Sequence, residues 1–392
     1  MSDRPRPGAS PRIVIVGGGF AGLSCARGLG GAPAQVTLID ARNYYLFVPL
    51  LYQVATAVLS PADIVAPLRQ ILRRYPNVEV MLAHVTGADT AAREVRLGDD
   101  RTVPYDVLVL TTGSVHSYFG HPQWEQAAPA LKTIEDAREI RGRVLMALEK
   151  AEMSRDSAQQ ATLMTTIVVG GGPTGVEMAG AVTELVHWTL RSEFRHIDPA
   201  TASVVLIEAG PRLLPDFPAE LSAYAQRVLE KKRVQVRLNC PVQDVWPDGV
   251  VLPDGFHRAG TIVWGAGVGP TPAGQWIGAP VDKRGRIAVG PDLAVRGMSG
   301  IYALGDVANC AGPDGLPLPG LAQVAVQQGR YLARALRERI AGVPRRPSAS
   351  TIAATWPPST RLSVPWSGPP SPPESGPTST AFMVSPNPRR TA

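Results

Sequence analysis

Cysteine is scarce in this sequence, and what there is stands apart. The 392 residues include only Cys25, Cys240 and Cys310, with no C-x-x-C pair. That spacing excludes a disulfide framework, a cysteine zinc site and a redox-active dithiol, so no metal is expected. No run approaches the ~20 apolar residues needed to cross a bilayer. The N-terminus is a short Arg/Pro-rich polar segment rather than a signal peptide, which points to a cytoplasmic setting. Histidines are few and scattered, at His84, His116, His121, His187, His196 and His257, and none forms a Ser/His/Asp or Cys/His arrangement. Acid is nearly absent from residues 343–392, where five arginines face only Glu374. Most of the net charge of +6 therefore sits in that tail, and the rest of the chain is close to neutral. A nucleic-acid partner is not indicated.

What the chain does have is glycine in two ordered clusters. Gly17-x-Gly19-x-x-Gly22 follows the apolar run Arg12–Val16, and Asp40 closes the next strand-like run, Val36–Ile39. Gly170-x-Gly172-x-x-Gly175 follows Thr166–Val169, and Glu208 closes Val204–Ile207. Such glycines permit a tight strand-to-helix turn and let backbone amides approach a pyrophosphate. The acid accepts hydrogen bonds from a ribose hydroxyl. One motif of this kind is weak; two in strand–turn–helix context imply two dinucleotides held face to face.

Alternation of strand-like and helical segments predicts an α/β fold with parallel sheets. Helices are expected from the first Gly-rich turn to about Leu29, over Ala137–Glu152 and over Ala322–Ile340. Strands are expected near Val78–Met81, Val107–Thr111, Ile262–Gly267 and Ile301–Asp306. The expected architecture is two Rossmann-like dinucleotide-binding domains, one inserted in the other: residues 11–122 with 295–342, and residues 160–290. Residues 343–392, rich in Pro, Ser and Thr, read as a disordered tail. Gly305-Asp306 after a short apolar strand suits a carboxylate that binds the ribityl or phosphate-linked part of a flavin. The helix near Ala322 would aim its N-terminus at the isoalloxazine.

At this point the chain resembles the type II NADH dehydrogenases, the single-subunit, non-proton-pumping NADH:quinone oxidoreductases. The resemblance is carried by Ile15–Leu23, Asp40–Phe47 with Pro49–Ala55, Gly170–Glu177, Glu208–Pro211 and Ala322–Gly329. It implies FAD held by Gly17, Gly19, Gly22, Asp40, Thr112, Gly113, Gly305 and Asp306. It implies NADH held by Gly170, Gly172, Gly175 and Glu208, with Glu177 near the nicotinamide. Gln323, Gln327 and Gln328 would orient a quinone, and Val48 stands where the resemblance leads one to expect glutamine. Glu208 would repel a 2′-phosphate and favour NADH. Peripheral contact with the cytoplasmic face of the inner membrane and a homodimer are further implications. The missing dithiol argues against the glutathione- and thioredoxin-reductase relatives. Two alternatives stay open: a reductase with a ferredoxin-like protein acceptor, and a damaged-gene product that binds nucleotides with little turnover.

The tail departs from the resemblance. Where the family carries a segment like P-F-R-Y-x-D-x-G-x-M-A-T-I, this chain reads Pro347-Ser348-Ala349-Ser350-Thr351-Ile352-Ala353-Ala354-Thr355-Trp356-Pro357-Pro358-Ser359. Joining each codon's third base to the next codon's first two permits P-F-R-F-H-D-R-G-N-M-A-T-I. A one-nucleotide frameshift near Arg345–Pro347 is therefore expected. It would replace the native C-terminus, including an amphipathic membrane contact.

Overall fold

The computed structural model describes residues 10–312 and 315–343; the readings made for the tail beyond Val343 lie outside them. In chain order, the elements that position the site begin with β1 (Arg12–Val16), α1 (Phe20–Leu29), β2 (Gln35–Asp40), α2 (Leu51–Ala55), β3 (Val78–Leu82), β4 (Val107–Leu110) and β5 (Ser114–His116). Next come α3 (Ile134–Met153), β6 (Thr165–Val169), α4 (Pro173–Glu184), β7 (Ser203–Ile207), β8 (Val234–Arg237), β9 (Thr261–Trp264) and β10 (Val268–Pro270). Strand β11 (Ile301–Ala303) and helix α5 (Ala322–Ile340) complete the set.

Two parallel sheets organise the chain. The first has the order β11-β4-β1-β2-β3, so a strand from near residue 300 returns to pair with β4. The second has the order β8-β7-β6-β9. Strands β1 and β6 are near-continuous apolar runs, Arg12-Ile-Val-Ile-Val16 and Thr165-Thr-Ile-Val-Val169, as expected for strands covered on both faces. In each sheet the Gly-rich turn leaves the central strand at the point where strand order reverses, the usual place for a ligand in a doubly wound sheet.

Helix α1 covers the first sheet with Ala21, Cys25, Ala26 and Leu29, and α5 packs along it through Ala325, Leu332, Ala333 and Leu336. Gly329 makes that close approach possible, since a Cβ there would lie 2.3 Å from the Ala21 carbonyl oxygen. Helix α3 and α4 share a second apolar cluster with α2, built from Leu51, Val54, Ile140, Val144, Met178 and Val182. Antiparallel pairing of β5 with β10 ties the segment after the first sheet to the segment after the second.

The expected helix over Ala137–Glu152 begins three residues earlier. Thr133 caps it: its hydroxyl accepts the Asp136 N–H at 3.1 Å, and the Asp136 carboxylate accepts the Thr133 N–H at 2.8 Å. This reciprocal pair satisfies two amide donors that would otherwise be orphaned. The run Ile262–Gly267 is also shorter as a strand, ending at Trp264. Val268–Pro270 then forms β10 after a turn in which Gly267 adopts φ +73°.

Candidate functional site

The first glycine-rich turn is fixed by the strands that flank it. Gly17, at φ +106°, donates its N–H to the Ile39 carbonyl at 2.8 Å. The Thr111 hydroxyl lies 2.8 and 2.7 Å from the Val16 and Gly17 carbonyl oxygens. A Cβ on Gly22 would sit 1.8 Å from the Gly17 oxygen, so only glycine lets α1 start this close to β1. Gly19 is the N-cap of α1 and offers no side-chain cap, and a Cβ on it would meet no described atom within 4 Å. A helix N-terminus with uncapped amides facing open space is a ready anion site. Asp40 accepts the Gly18 N–H through Oδ2 at 2.5 Å and the Arg42 N–H through Oδ1 at 2.7 Å.

The second turn repeats this construction. Gly170 has φ +109° and donates to the Ile207 carbonyl at 2.7 Å. A Cβ on Gly175 would lie 1.8 Å from the Gly170 oxygen, while one on Gly172, the N-cap of α4, would meet no described atom within 4 Å. Glu208 accepts the Gly171 N–H through Oε2 and the Gly210 N–H through Oε1, both at 2.6 Å. Glu177 lies just past the first turn of α4, half-buried, and burial pushes its carboxyl up to about 7. Tyr52 of α2 faces the same region. Burial raises its hydroxyl's pKa, and the charges of Glu177 and Glu184 add to the rise.

The third element joins β11 to α5. Gly305, at φ +70°, donates its N–H to Gln328 Oε1 at 2.7 Å, and Gln328 is buried. The three glutamines of α5 therefore differ: Gln328 braces the turn, whereas Gln323 is exposed and Gln327 is half-buried. The family resemblance implies a quinone-orienting role for all three. The amide oxygen of Gln328 is instead committed to the turn that presents Asp306. Leu321, the N-cap of α5, provides no side-chain cap either.

Asp306 does not stand alone. Its Oδ2 accepts the Ser114 hydroxyl at 2.8 Å, and Ser114 Oγ accepts Lys132 Nζ at 2.8 Å. Thr112 shares a hydrogen bond with the hydroxyl of Thr271, and Gly113 has φ +72° with open space around its Cβ position. Ser114, Lys132, Thr111 and Thr271 escaped the sequence reading. Ser114 directly follows the Thr112-Gly113 pair, and Lys132 directly precedes the capping sequence Thr133-x-x-Asp136. Those positions are the local signals by which Ser114 and Lys132 could have been found.

The remaining nucleophiles are quiet. All three cysteines are buried; burial pushes the Cys25 thiol up to about 12 and raises Cys310 as well. Burial also lowers the pKa of His116, whose Nε2 has no partner among the described residues. No cluster of metal-ligating side chains occurs among the described residues. None of their helices is long and apolar enough to cross a membrane.

The residues present fit two dinucleotides. Each glycine-rich turn has an uncapped helix N-terminus, an open cradle at its middle glycine and an acid fixed by loop amides. Comparison with known proteins agrees. The family model described as pyridine nucleotide-disulphide oxidoreductase matches residues 11–329. The type II NADH:quinone oxidoreductase Ndh of Mycobacterium tuberculosis is 40% identical over 358 residues, covering 87% of this chain and 76% of that protein. NdhA of the same organism, also a type II NADH:quinone oxidoreductase, is 42% identical over 348 residues, covering 86% and 73%. NDH2 from Plasmodium falciparum, solved in complex with NADH, shares the fold with a TM-score of 0.75 at 21% identity over 83% of each chain. The chain belongs to the pyridine nucleotide-disulphide oxidoreductase family, and within it to the type II NADH:quinone oxidoreductases.

Proposed function

We propose that this protein is an FAD-dependent oxidoreductase that takes a hydride from NADH and passes electrons to a membrane quinone without pumping protons. The observation that carries this reading is the duplicated turn, Gly17–Asp40 and Gly170–Glu208, in a chain 40% and 42% identical to two type II NADH:quinone oxidoreductases. In this reading residues 11–122 and 295–342 hold FAD, and residues 160–290 hold NADH. When bound, the flavin supplies the hydride-accepting ring and the route by which electrons leave for the quinone.

The protein's own groups bind and orient. Amides around Gly17, Gly19 and Gly22 and the N-terminus of α1 receive the FAD pyrophosphate, and Asp40 receives the adenosine ribose. Thr112, Gly113, Gly305 and Asp306 would hold the ribityl chain. The N-terminus of α5 would direct its uncapped amides toward the flavin ring. Gly170, Gly172 and Gly175 take the NADH pyrophosphate, and Glu208 takes its ribose and repels a 2′-phosphate. Glu177, titrating at about 7, can accept or donate a hydrogen bond at the nicotinamide end near neutral pH. Gln323 and Gln327 lie on the quinone side, and Gln328 acts on that side by bracing Gly305. Contact with the cytoplasmic face of the inner membrane, and pairing of two copies, belong to the same proposal on the strength of the family resemblance.

Steady-state rates with NADH and either a soluble quinone analogue or a small iron–sulfur protein test the acceptor. Fast quinone reduction is expected. A fast protein acceptor with no quinone rate would overturn the assignment.

A further inference from the structure

A half-buried amine, a hydroxyl and a carboxylate from separate parts of the chain meet beside the expected flavin site. Lys132 Nζ donates to Ser114 Oγ, and Ser114 Oγ donates to Asp306 Oδ2, each at 2.8 Å. These residues lie 18 and 192 positions apart in sequence, so only the folded chain brings them together. The direction of the chain is not free. An ammonium can only donate, so Ser114 must accept from Lys132 and spend its one hydroxyl proton on Asp306. Asp306 Oδ2, at the end of the chain, is thereby fixed as an acceptor.

Lys132 is itself held. Its backbone N–H donates to Asp136 Oδ2 at 2.9 Å, within the capping box that starts α3. Ser114 sits in β5, paired with β10. Burial lowers the Lys132 pKa, the Asp306 charge opposes that change, and Arg42 reinforces it. Lysine is rarely placed in such a setting without a partner that repays its desolvation.

We propose that Lys132, acting through Ser114, is a positioning residue of the flavin site that holds the Asp306 carboxylate in one orientation toward the ribityl hydroxyls. This inference rests on the assignment of FAD to this half of the protein. It adds two residues, Lys132 and Ser114, to those the glycine-rich motifs identify. A purely structural chain would stabilise the apoprotein and the FAD-loaded protein alike. A positioning chain acts on FAD affinity and on the spectrum of the bound flavin.

The test is titration of apoprotein with FAD, followed by flavin fluorescence and visible spectra, on wild type, Lys132→Met, Lys132→Arg, Ser114→Ala and Asp306→Asn. Lys132→Met and Ser114→Ala are expected to weaken FAD binding about tenfold, the scale of one hydrogen bond to a charged group. Lys132→Arg should recover most of that loss. Lys132→Met should add little on top of Asp306→Asn, because the carboxylate it serves is gone. If Lys132→Met does not fold, Ser114→Ala, which removes only a hydroxyl, decides the matter. Unchanged FAD affinity and flavin spectrum in Ser114→Ala and any folded Lys132→Met, with only a lower Tm, would overturn the inference while leaving the flavin assignment intact. Failure of the wild-type chain to take up FAD would overturn both.

Discussion

Gln328 accepts the Gly305 N–H at 2.7 Å, and this bond joins the buried face of α5 to the turn that presents Asp306. A side chain expected at a quinone is therefore built into the Gly305–Asp306 turn. Gln328→Leu should leave the amide unpaired and cost about 1–3 kcal/mol. Thermal melts with and without added FAD check this, the FAD-dependent rise in Tm being smaller in Gln328→Leu.

The two kinds of glycine in each turn make opposite predictions. Gly175→Ala puts a Cβ 1.8 Å from the Gly170 carbonyl and should destabilise the fold by about 4 kcal/mol or more. Gly172→Ala meets no described atom within 4 Å and should fold and keep FAD. Its added methyl occupies the space expected for the NADH pyrophosphate. An NADH KM raised about tenfold, equivalent to about 1.4 kcal/mol, is the expected reading. Denaturation midpoints and NADH saturation curves separate the two effects.

Glu177 links stability to pH. Folded, its carboxyl holds a proton up to about 7, whereas the ordinary value is 4.5. Between those values the folded state binds more protons than the unfolded state, so the contribution of Glu177 to stability falls as pH rises through the window. Glu177→Gln should remove that fall. Urea midpoints at pH 5 and pH 8 are expected to converge in the variant relative to wild type. A wild-type difference that survives the substitution would assign the pH dependence to other groups.

The tail makes a prediction about the gene. Sequencing across codons 335–392 is expected to reveal a one-base shift near Arg345–Pro347 that restores P-F-R-F-H-D-R-G-N-M-A-T-I. Confirmation of the codons as they stand would make the tail a genuine feature of this chain.

The parts of this fold that depend on local chemistry were legible in the sequence. Helix α5 runs Ala322–Ile340, as expected, and both glycine-rich turns leave the strands expected of them. The start of α3 is less legible: apolar periodicity begins at Ala137, whereas the helix begins where Thr133 and Asp136 cap it. Strands β5 and β10 are three residues each, too short for a period to register, and their pairing is visible only in the folded chain. The Lys132–Ser114–Asp306 chain was hidden for the same reason. Its members come from separate segments, and none belongs to a spaced motif that contains the others. The different fates of Gln323 and Gln328 turn on which face of α5 meets Gly305, a tertiary fact.

The most direct test of the central claim is an anaerobic two-step titration of the FAD-loaded protein, followed at the flavin absorption band. NADH is expected to bleach the band stoichiometrically, and a soluble quinone added next should restore it. A protein that holds FAD but is not bleached by NADH, or is bleached and not restored by quinone, would contradict the account.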